Sequence, residues 1–316
     1  MKFIKSIPLA LSGLALSIAA LGNLLLSYGF PYECPYRFPY GQELRYACGI
    51  LSGILLTIFA LKIVLDFSHT LEELKSPVAL SVLPTSTMAL MLLCTYLLPF
   101  IGFIAICIWS AAVITHLCLM WLFFKCFVFK FSLKNVFPGW FVSFVGIVTV
   151  SVTAPVIGAD EIGKIAFIIG FTLYFVALAL IIVRLIKVKE FPEPARPTFA
   201  IFTAPMSLCI VGYFSSFENQ NEIFVYSMLA IAIASYIFVT IKMISLLRLK
   251  FYPTYAAFTF PFVISATAFR FGASFLAERG IYFFDYVAYY SLCIAVLIVL
   301  YVLVRYIMYF HQKLKV

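Results

Sequence analysis

Charged residues are scarce in this sequence. Asp, Glu, Lys and Arg together make up 11% of its 316 residues, whereas roughly a quarter of the residues in soluble domains are charged. Hydrophobic residues make up 65%, and a water-soluble chain of this length could not bury so much apolar surface. The composition therefore excludes a soluble globular protein and indicates a chain that lies mostly in lipid.

The motifs of enzymes and of nucleotide-driven pumps are also missing. The sequence has no H-E-x-x-H, no G-x-S-x-G, no P-loop and no G-x-G-x-x-G. Its three histidines, His69, His116 and His311, are too scattered for a convincing metal site. We therefore expect no enzymatic activity, no cofactor, no metal and, without an interleaved basic and aromatic pattern, no nucleic-acid partner.

The long apolar runs contain almost no ionisable residues. Asp160 and Glu161 lie in a predicted outer turn, Arg270 lies in the outer third of a run, and His116 lies deep in one. A charge at mid-bilayer is costly and usually marks ion or proton chemistry. The missing carboxylate disfavours a proton-coupled carrier, and His116 is expected mainly to form a hydrogen bond between helices.

What the sequence does contain is ten long apolar runs, which predict an all-α integral membrane protein with a single transmembrane domain over residues 1–316. A helix needs about 20 apolar residues to cross the hydrocarbon core, and barrel strands would be short and alternating. The predicted helices are 7–28, 45–65, 79–98, 100–124, 138–158, 162–183, 198–217, 223–241, 255–276 and 284–304. The first run could also be a signal peptide, but no small-x-small cleavage site follows it.

Basic residues predict the orientation of the helices. The N-terminus, the connections after even-numbered helices and the C-terminus contain every Lys and Arg except Arg37, Arg45, Lys164, Arg270 and Arg279. Cytoplasmic loops carry an excess of Lys and Arg, so both termini are predicted to be cytoplasmic. The formal net charge of +9 then reflects mostly this bias.

One basic residue ends every even-numbered helix on the predicted cytoplasmic side. These residues are Lys62, Lys125, Arg184, Lys242 and Arg305, at intervals of about 60 residues. Each could simply extend to the lipid headgroups. The regular interval nevertheless predicts five repeated helical hairpins.

Prolines recur early in the odd-numbered helices, with hydroxyl residues near them. Pro8, Pro84, Pro205 and Pro261 are expected to kink these helices and to free backbone carbonyls. The pattern predicts odd-numbered helices around a neutral, partly hydrated path, with even-numbered helices outside. The candidate lining residues are Ser12, Ser86, Thr87, Ser143, Ser207, Thr259 and Ser265. Hydroxyls can donate to an anion without trapping it, although each could instead pack between helices.

Most of the eight cysteines lie inside predicted helices and form no C-x-x-C pair. They are expected to act as small apolar packing residues. Cys34 and Cys48 lie near the predicted outer face, where they could form a disulfide.

Several segments resemble the tellurite-resistance/dicarboxylate transporter family, which includes the slow anion channels of plant guard cells. They span nearly the whole chain, and their order and spacing together carry the resemblance. These segments are Ile7-Pro8-Leu9, Leu74-Lys75-Ser76-Pro77-Val78, Pro84-Thr85-Ser86-Thr87-Met88, Phe137-Pro138-Gly139-Trp140-Phe141-Val142, Ala204-Pro205 and Ala257-Phe258-Thr259-Phe260-Pro261.

The resemblance implies a quasi-five-fold ring of five helical hairpins, a pore lined by the odd-numbered helices, and a homotrimer in the bacterial inner membrane. It also implies that Phe260, just before the helix-nine proline, is the gate that plugs the pore. Family members often have proline where this chain has Ser143, so helix five is expected to bend less.

Two functions remain open from the sequence. One is a gated anion channel, and the other is a carrier that exports small inorganic or organic anions such as tellurite, sulfite or the C4-dicarboxylate malate. A carrier of divalent organic acids should have a basic residue in the central path, and none is evident. This favours the channel, with small anions and membrane lipids as its partners.

Overall fold

A computed structural model describes residues 2–28, 40–188 and 190–315. Cys34 and Arg37 lie outside these residues, so the pairing of Cys34 with Cys48 stays a prediction. We number the ten long helices α1 to α10 in chain order. They are α1 (Leu11–Ser27), α2 (Gly41–Leu65), α3 (Pro77–Ile101), α4 (Phe103–Val128), α5 (Trp140–Ile157), α6 (Asp160–Lys187), α7 (Glu193–Ser216), α8 (Glu222–Leu246), α9 (Pro253–Ala277) and α10 (Phe284–Leu314).

The described residues therefore form the all-α membrane architecture that the sequence predicts. The nine helices α2 to α10 are long and apolar enough to cross a membrane, and α1 is a shorter apolar helix. The boundary between α3 and α4 is a single residue, Gly102, with a φ of +46°. An L side chain rarely adopts this conformation, so glycine lets the chain turn there.

Odd-numbered and even-numbered helices differ sharply in burial. In the most apolar 18-residue window, α3, α5, α7 and α9 are 72–78% buried, whereas the even-numbered helices are 22–33% buried. Most of α1 is also buried. This difference matches the expected division into inner and outer helices.

The contacts between the inner helices follow a cyclic order. Helix α1 packs against α3, α3 against α5, α5 against α7, α7 against α9, and α9 against α1. Each outer helix packs against the inner helix that precedes it in the chain. The chain thus builds five successive inner–outer hairpins.

Each inner helix changes its backbone geometry part-way along its span. Helix α3 is interrupted at Leu83 and Pro84. In α7 and α9, the 3₁₀ segments Glu193–Thr203 and Pro253–Phe258 precede the α-helical turns. Pro205 and Pro261 lie in the first turn of those α-helical parts, where the missing N–H of proline costs little.

In the other two inner helices the proline lies elsewhere: Pro8 precedes α1, and Pro155 lies near the end of α5, away from its interruption. Helix α1 begins three residues after Pro8. Helix α5 is interrupted at Gly146 and Ile147, so Ser143 in place of proline does not leave it continuous. A Cβ atom at Gly146 would lie 2.4 Å from the Val142 carbonyl oxygen and 3.1 Å from the His116 ring. Glycine thus permits the close packing at this interruption.

Candidate anion pathway

A small cavity lies where the five inner helices meet. Its volume is about 70 Å³, enough for only a few water molecules. Every inner helix or the turn just before it contributes to the wall, and the described wall contains no charged side chain. The lining residues are Ala10, Gly13, Val82, Thr85, Met88, Phe141, Val142, Val145, Gly146, Thr198, Ile201, Ala204, Pro205, Leu208, Thr254, Ala256, Ala257, Phe260 and Pro261.

Phe260 is part of this wall. Its side chain is 8% exposed, and it lies directly before Pro261 at the start of the α-helical part of α9. The flanking rings are placed differently: Phe258 packs against Tyr255 at a centroid distance of 4.7 Å, and Phe262 packs against Tyr236 at 5.3 Å. Of these three phenylalanines, only Phe260 lines the cavity.

The seven hydroxyl residues predicted to line a path are not in the wall of this cavity. Their oxygens instead lie against backbone carbonyls near the interruptions of the inner helices. Thr87 donates to Pro84, Ser86 to Leu83, and Thr259 to Ala256, at 2.7–2.8 Å. Each of these carbonyls also accepts a backbone N–H, from Met88, Ser86 and Thr259 respectively, so the hydroxyl adds a second donor close to the interruption.

The other predicted hydroxyls connect adjacent inner helices. The oxygens of Ser12 and Thr85 are 2.7 Å apart between α1 and α3, and those of Ser207 and Ser265 are 3.0 Å apart between α7 and α9. Ser143 donates to the Ser81 carbonyl of α3 at 3.3 Å. That these residues contact an anion stays a prediction; the contacts they make in the structure are those of helix packing.

Three different hydroxyl residues line the cavity: Thr85, Thr198 and Thr254. Sequence reasoning missed them because it selected residues by type and not by position around the helix. The wall of α7 is formed by Ile201, Ala204, Pro205 and Leu208, a spacing of three and four residues that marks one helical face. Ser207 is one position off this face, so the periodicity could have excluded it.

His116 forms the hydrogen bond between helices that the sequence predicted. Its Nδ1 atom is 2.8 Å from the Thr87 hydroxyl of α3, and its side chain is fully buried. The contact reaches α3 next to the interruption at Pro84. Separately, the described residues contain no group of three His, Cys, Asp or Glu side chains that could hold a metal ion.

A larger opening leads toward this cavity from the end of the bundle where Lys62 lies. We call it the vestibule; its volume is about 840 Å³. It shares Ala10, Val82 and Thr254 with the wall of the small cavity. The vestibule and the cavity are therefore adjacent.

Among the described residues, four charged side chains line the vestibule: Lys5, Glu73, Lys134 and Lys313. The Glu73 carboxylate is 2.6 Å from the Lys62 ammonium group, which is fully buried. A buried ammonium group requires such a partner. Lys62 therefore ties α2 to the short helix Phe67–Glu73 and does not extend to the lipid headgroups.

The other basic residues that end outer helices have varied surroundings. Lys125 and Lys242 are exposed, as expected for side chains that reach the membrane surface. Arg184 is 2% exposed and donates to the carbonyls of Val188 and Glu190. The Arg305 guanidinium lies near three aromatic rings, the closest being Phe251 at 5.5 Å.

Comparison with known proteins agrees with this architecture. A family model described as voltage-dependent anion channel, SLAC1, matches residues 6–307. No curated protein matches the chain. The family match confirms the resemblance to the tellurite-resistance/dicarboxylate transporters, which are SLAC1 homologues. Together with the ten apolar helices, it identifies a multi-pass membrane protein for anion transport, and the chain belongs to the SLAC1 family of voltage-dependent anion channels.

Proposed function

We propose that this protein is a gated anion channel of the inner membrane, closed by Phe260, without enzymatic activity. The observation that carries the proposal is the uncharged cavity at the meeting point of all five inner helices, with Phe260 in its wall. An ion that moved from the vestibule through the cavity would have to pass this ring. Family membership supports anions as the transported class.

The chemistry of the wall supports a closed gate. A narrow constriction lined by apolar groups loses its water and so blocks ions. Phe260 faces apolar residues of α5, among them Phe141 and Val145, across a cavity of about 70 Å³. Phe141 is held by Phe202 and Tyr174. We therefore assign the movable part of the gate to Phe260.

Anion preference would come from dipoles and not from fixed charges in the wall. The α-helical turns that begin at Leu11, Thr85, Ala204 and Thr259 all start beside the cavity. Helix N-termini carry a partial positive charge, which favours anions. Such a site binds an ion weakly enough to release it, as conduction requires.

The test is ion-substitution recording of Phe260→Ala beside wild type in planar bilayers. Removing the ring should open the constriction, so we expect anion current to rise by at least about tenfold. Phe262→Ala is the matched control, because it removes an identical ring that lies outside the cavity wall. Equal currents from Phe260→Ala and wild type would exclude Phe260 as the gate.

The same recordings address the carrier function. A channel current should grow with voltage and should not saturate as the substrate concentration rises. Saturable counterflow of labelled malate, tellurite or sulfite would instead indicate a carrier. The uncharged cavity wall favours the channel, because a divalent organic acid bound there would lack a cationic partner.

We further propose that the single transmembrane domain forms a quasi-five-fold ring of hairpins, assembles as a homotrimer, and has both termini in the cytoplasm. The cyclic contacts among the inner helices support the ring, and the basic residues at one end support the orientation. The trimer rests on family resemblance. Native mass spectrometry in detergent tests it, and a monomeric mass would contradict it.

A further inference from the structure

The vestibule carries a positive charge that the protein itself does not neutralise. Lys5, Lys134 and Lys313 line it and are exposed. Among the described residues, none of the three forms an ion pair. The acidic group in the wall, Glu73, is already bound by the buried Lys62.

A fourth cation lies behind the vestibule wall. The Arg184 guanidinium carbon is 5.1 Å from the ring centroid of Phe137, a vestibule residue. Arg184 is 2% exposed, its Nε atom has no hydrogen-bond partner, and no carboxylate among the described residues pairs with it. Its charge is therefore screened by little water.

Two of these cations, Lys5 and Lys313, belong to N- and C-terminal segments that are bonded to each other at the vestibule. The Tyr309 hydroxyl donates to the Ser6 carbonyl at 3.0 Å, and both residues line the vestibule. Lys5 and Lys313 are thereby kept near its mouth, on either side of that bond. The Lys313 ammonium group lies 5.7 Å from the Tyr309 ring, which further restricts its position.

We propose that the vestibule binds small anions electrostatically on one side of the Phe260 gate and makes conduction directional. The inference rests on the proposed function, since directionality requires a conducting path. Lys5, Lys134 and Lys313 attract inorganic anions or small carboxylates from solution. The attraction is strongest for divalent anions. Clefts of one charge raise local ligand concentration in this way, and salt weakens the effect.

The decisive experiment compares two triple variants, each in the conducting Phe260→Ala background. The first, Lys5→Gln/Lys134→Gln/Lys313→Gln, removes the vestibule charges. The second, Lys130→Gln/Lys242→Gln/Lys315→Gln, removes three exposed lysines that do not line the vestibule. Both variants lose the same net charge. A difference between their currents therefore reports where the charges lie and not how many were removed.

Currents are recorded in excised patches, which have a uniform orientation, at low and high chloride. For chloride that enters from the vestibule side in about 0.05 M salt, we expect the vestibule variant to carry roughly two- to tenfold less current. The difference should vanish near 1 M salt, where the Debye length falls to about 3 Å. Equal rectification in the two triple variants would overturn the inference.

If Phe260→Ala carries no current, that outcome contradicts the proposed gate but does not test anion binding at the vestibule. A binding measurement then tests it. Sulfate should then raise the thermal unfolding midpoint of the otherwise wild-type protein in detergent, because a ligand of the folded state stabilises it. The rise should be lost in the vestibule triple variant and kept in the control triple variant. An identical sulfate response in both would overturn the inference.

Discussion

The inner and outer helices are both apolar, but the outer helices are the more hydrophobic and their backbones differ. The outer helices α2, α6, α8 and α10 are continuous over 25–31 residues, whereas each inner helix is interrupted or preceded by irregular turns. Backbone groups that face lipid must be paired within their own helix. The interrupted backbone of the inner helices is accordingly surrounded by protein, and several Ser and Thr hydroxyls there also bond a neighbouring inner helix.

The largest expected effect comes from an exception to this division, the fully buried Lys62 of the outer helix α2. Glu73→Gln leaves its ammonium group without a charged partner, which should cost about 3 kcal/mol of stability. Glu72→Gln is the control, because its pair with Lys75 is exposed on both sides and should contribute almost nothing. Unfolding in mixed SDS micelles measures the stability of both variants. Equal losses of stability would contradict the pairing of Lys62 with Glu73.

A second prediction compares a glycine of each layer. Gly146→Ala in α5 places a Cβ atom 2.4 Å from the backbone oxygen of Val142, so the overpacking should cost about 2 kcal/mol. Gly53→Ala in α2 meets no atom within 4 Å and should stabilise the helix slightly, by up to about 1 kcal/mol. The same unfolding assay tests whether Gly146→Ala destabilises the protein and whether Gly53→Ala stabilises it. A neutral Gly146→Ala would mean that α5 tolerates a continuous helix.

Much of the fold could be predicted from composition and spacing. Ten apolar runs correspond to the ten helices, and the recurring prolines point to the inner helices. The α3–α4 boundary was predicted at residue 99 and lies at Gly102, because α3 accommodates Pro99 within its last turn. The 3₁₀ geometry of Glu193–Thr203 was not predicted, because its first half is a polar stretch with Glu193, Arg196 and two prolines, its second half starts an apolar run, and hydropathy does not report the type of helix. The interruption at Gly146 was hidden for a related reason, since it depends on close contacts with α3 and α4.

The Phe260 gate came from the family resemblance and not from the residue pattern, since the chain has 35 phenylalanines. The structure places Phe260 in the cavity wall, and its role as a gate stays a prediction. Serines and threonines were chosen by their chemistry and by their closeness to the prolines, and in the structure their hydroxyls bond carbonyls such as that of Pro84. The charges of the vestibule come from three distant segments, at Lys5, Lys134 and Lys313, and only the folded chain brings them to one opening.

The smallest effect should come from the hydroxyls that join inner helices. Ser151 of α5 donates to the Gly212 carbonyl of α7 at 3.0 Å and lies 2.8 Å from the Ser216 hydroxyl. Ser151→Ala should cost about 1 kcal/mol, the usual scale for hydrogen bonds between membrane helices. Ser227→Ala on α8 removes only an exposed bond within one helix and should leave stability unchanged.

A double-mutant cycle separates this contact from the effects of each side chain alone. If the two hydroxyls act together, Ser151→Ala and Ser216→Ala combined should cost measurably less than the sum of their separate costs. Additive costs would show that the two serines stabilise the bundle independently through carbonyl bonds. In that case the contrast with the outer helix α8 would rest on two separate bonds to carbonyls of the opposite helix, from Ser151 to Gly212 and from Ser216 to Ser151, and not on the contact between the two hydroxyls.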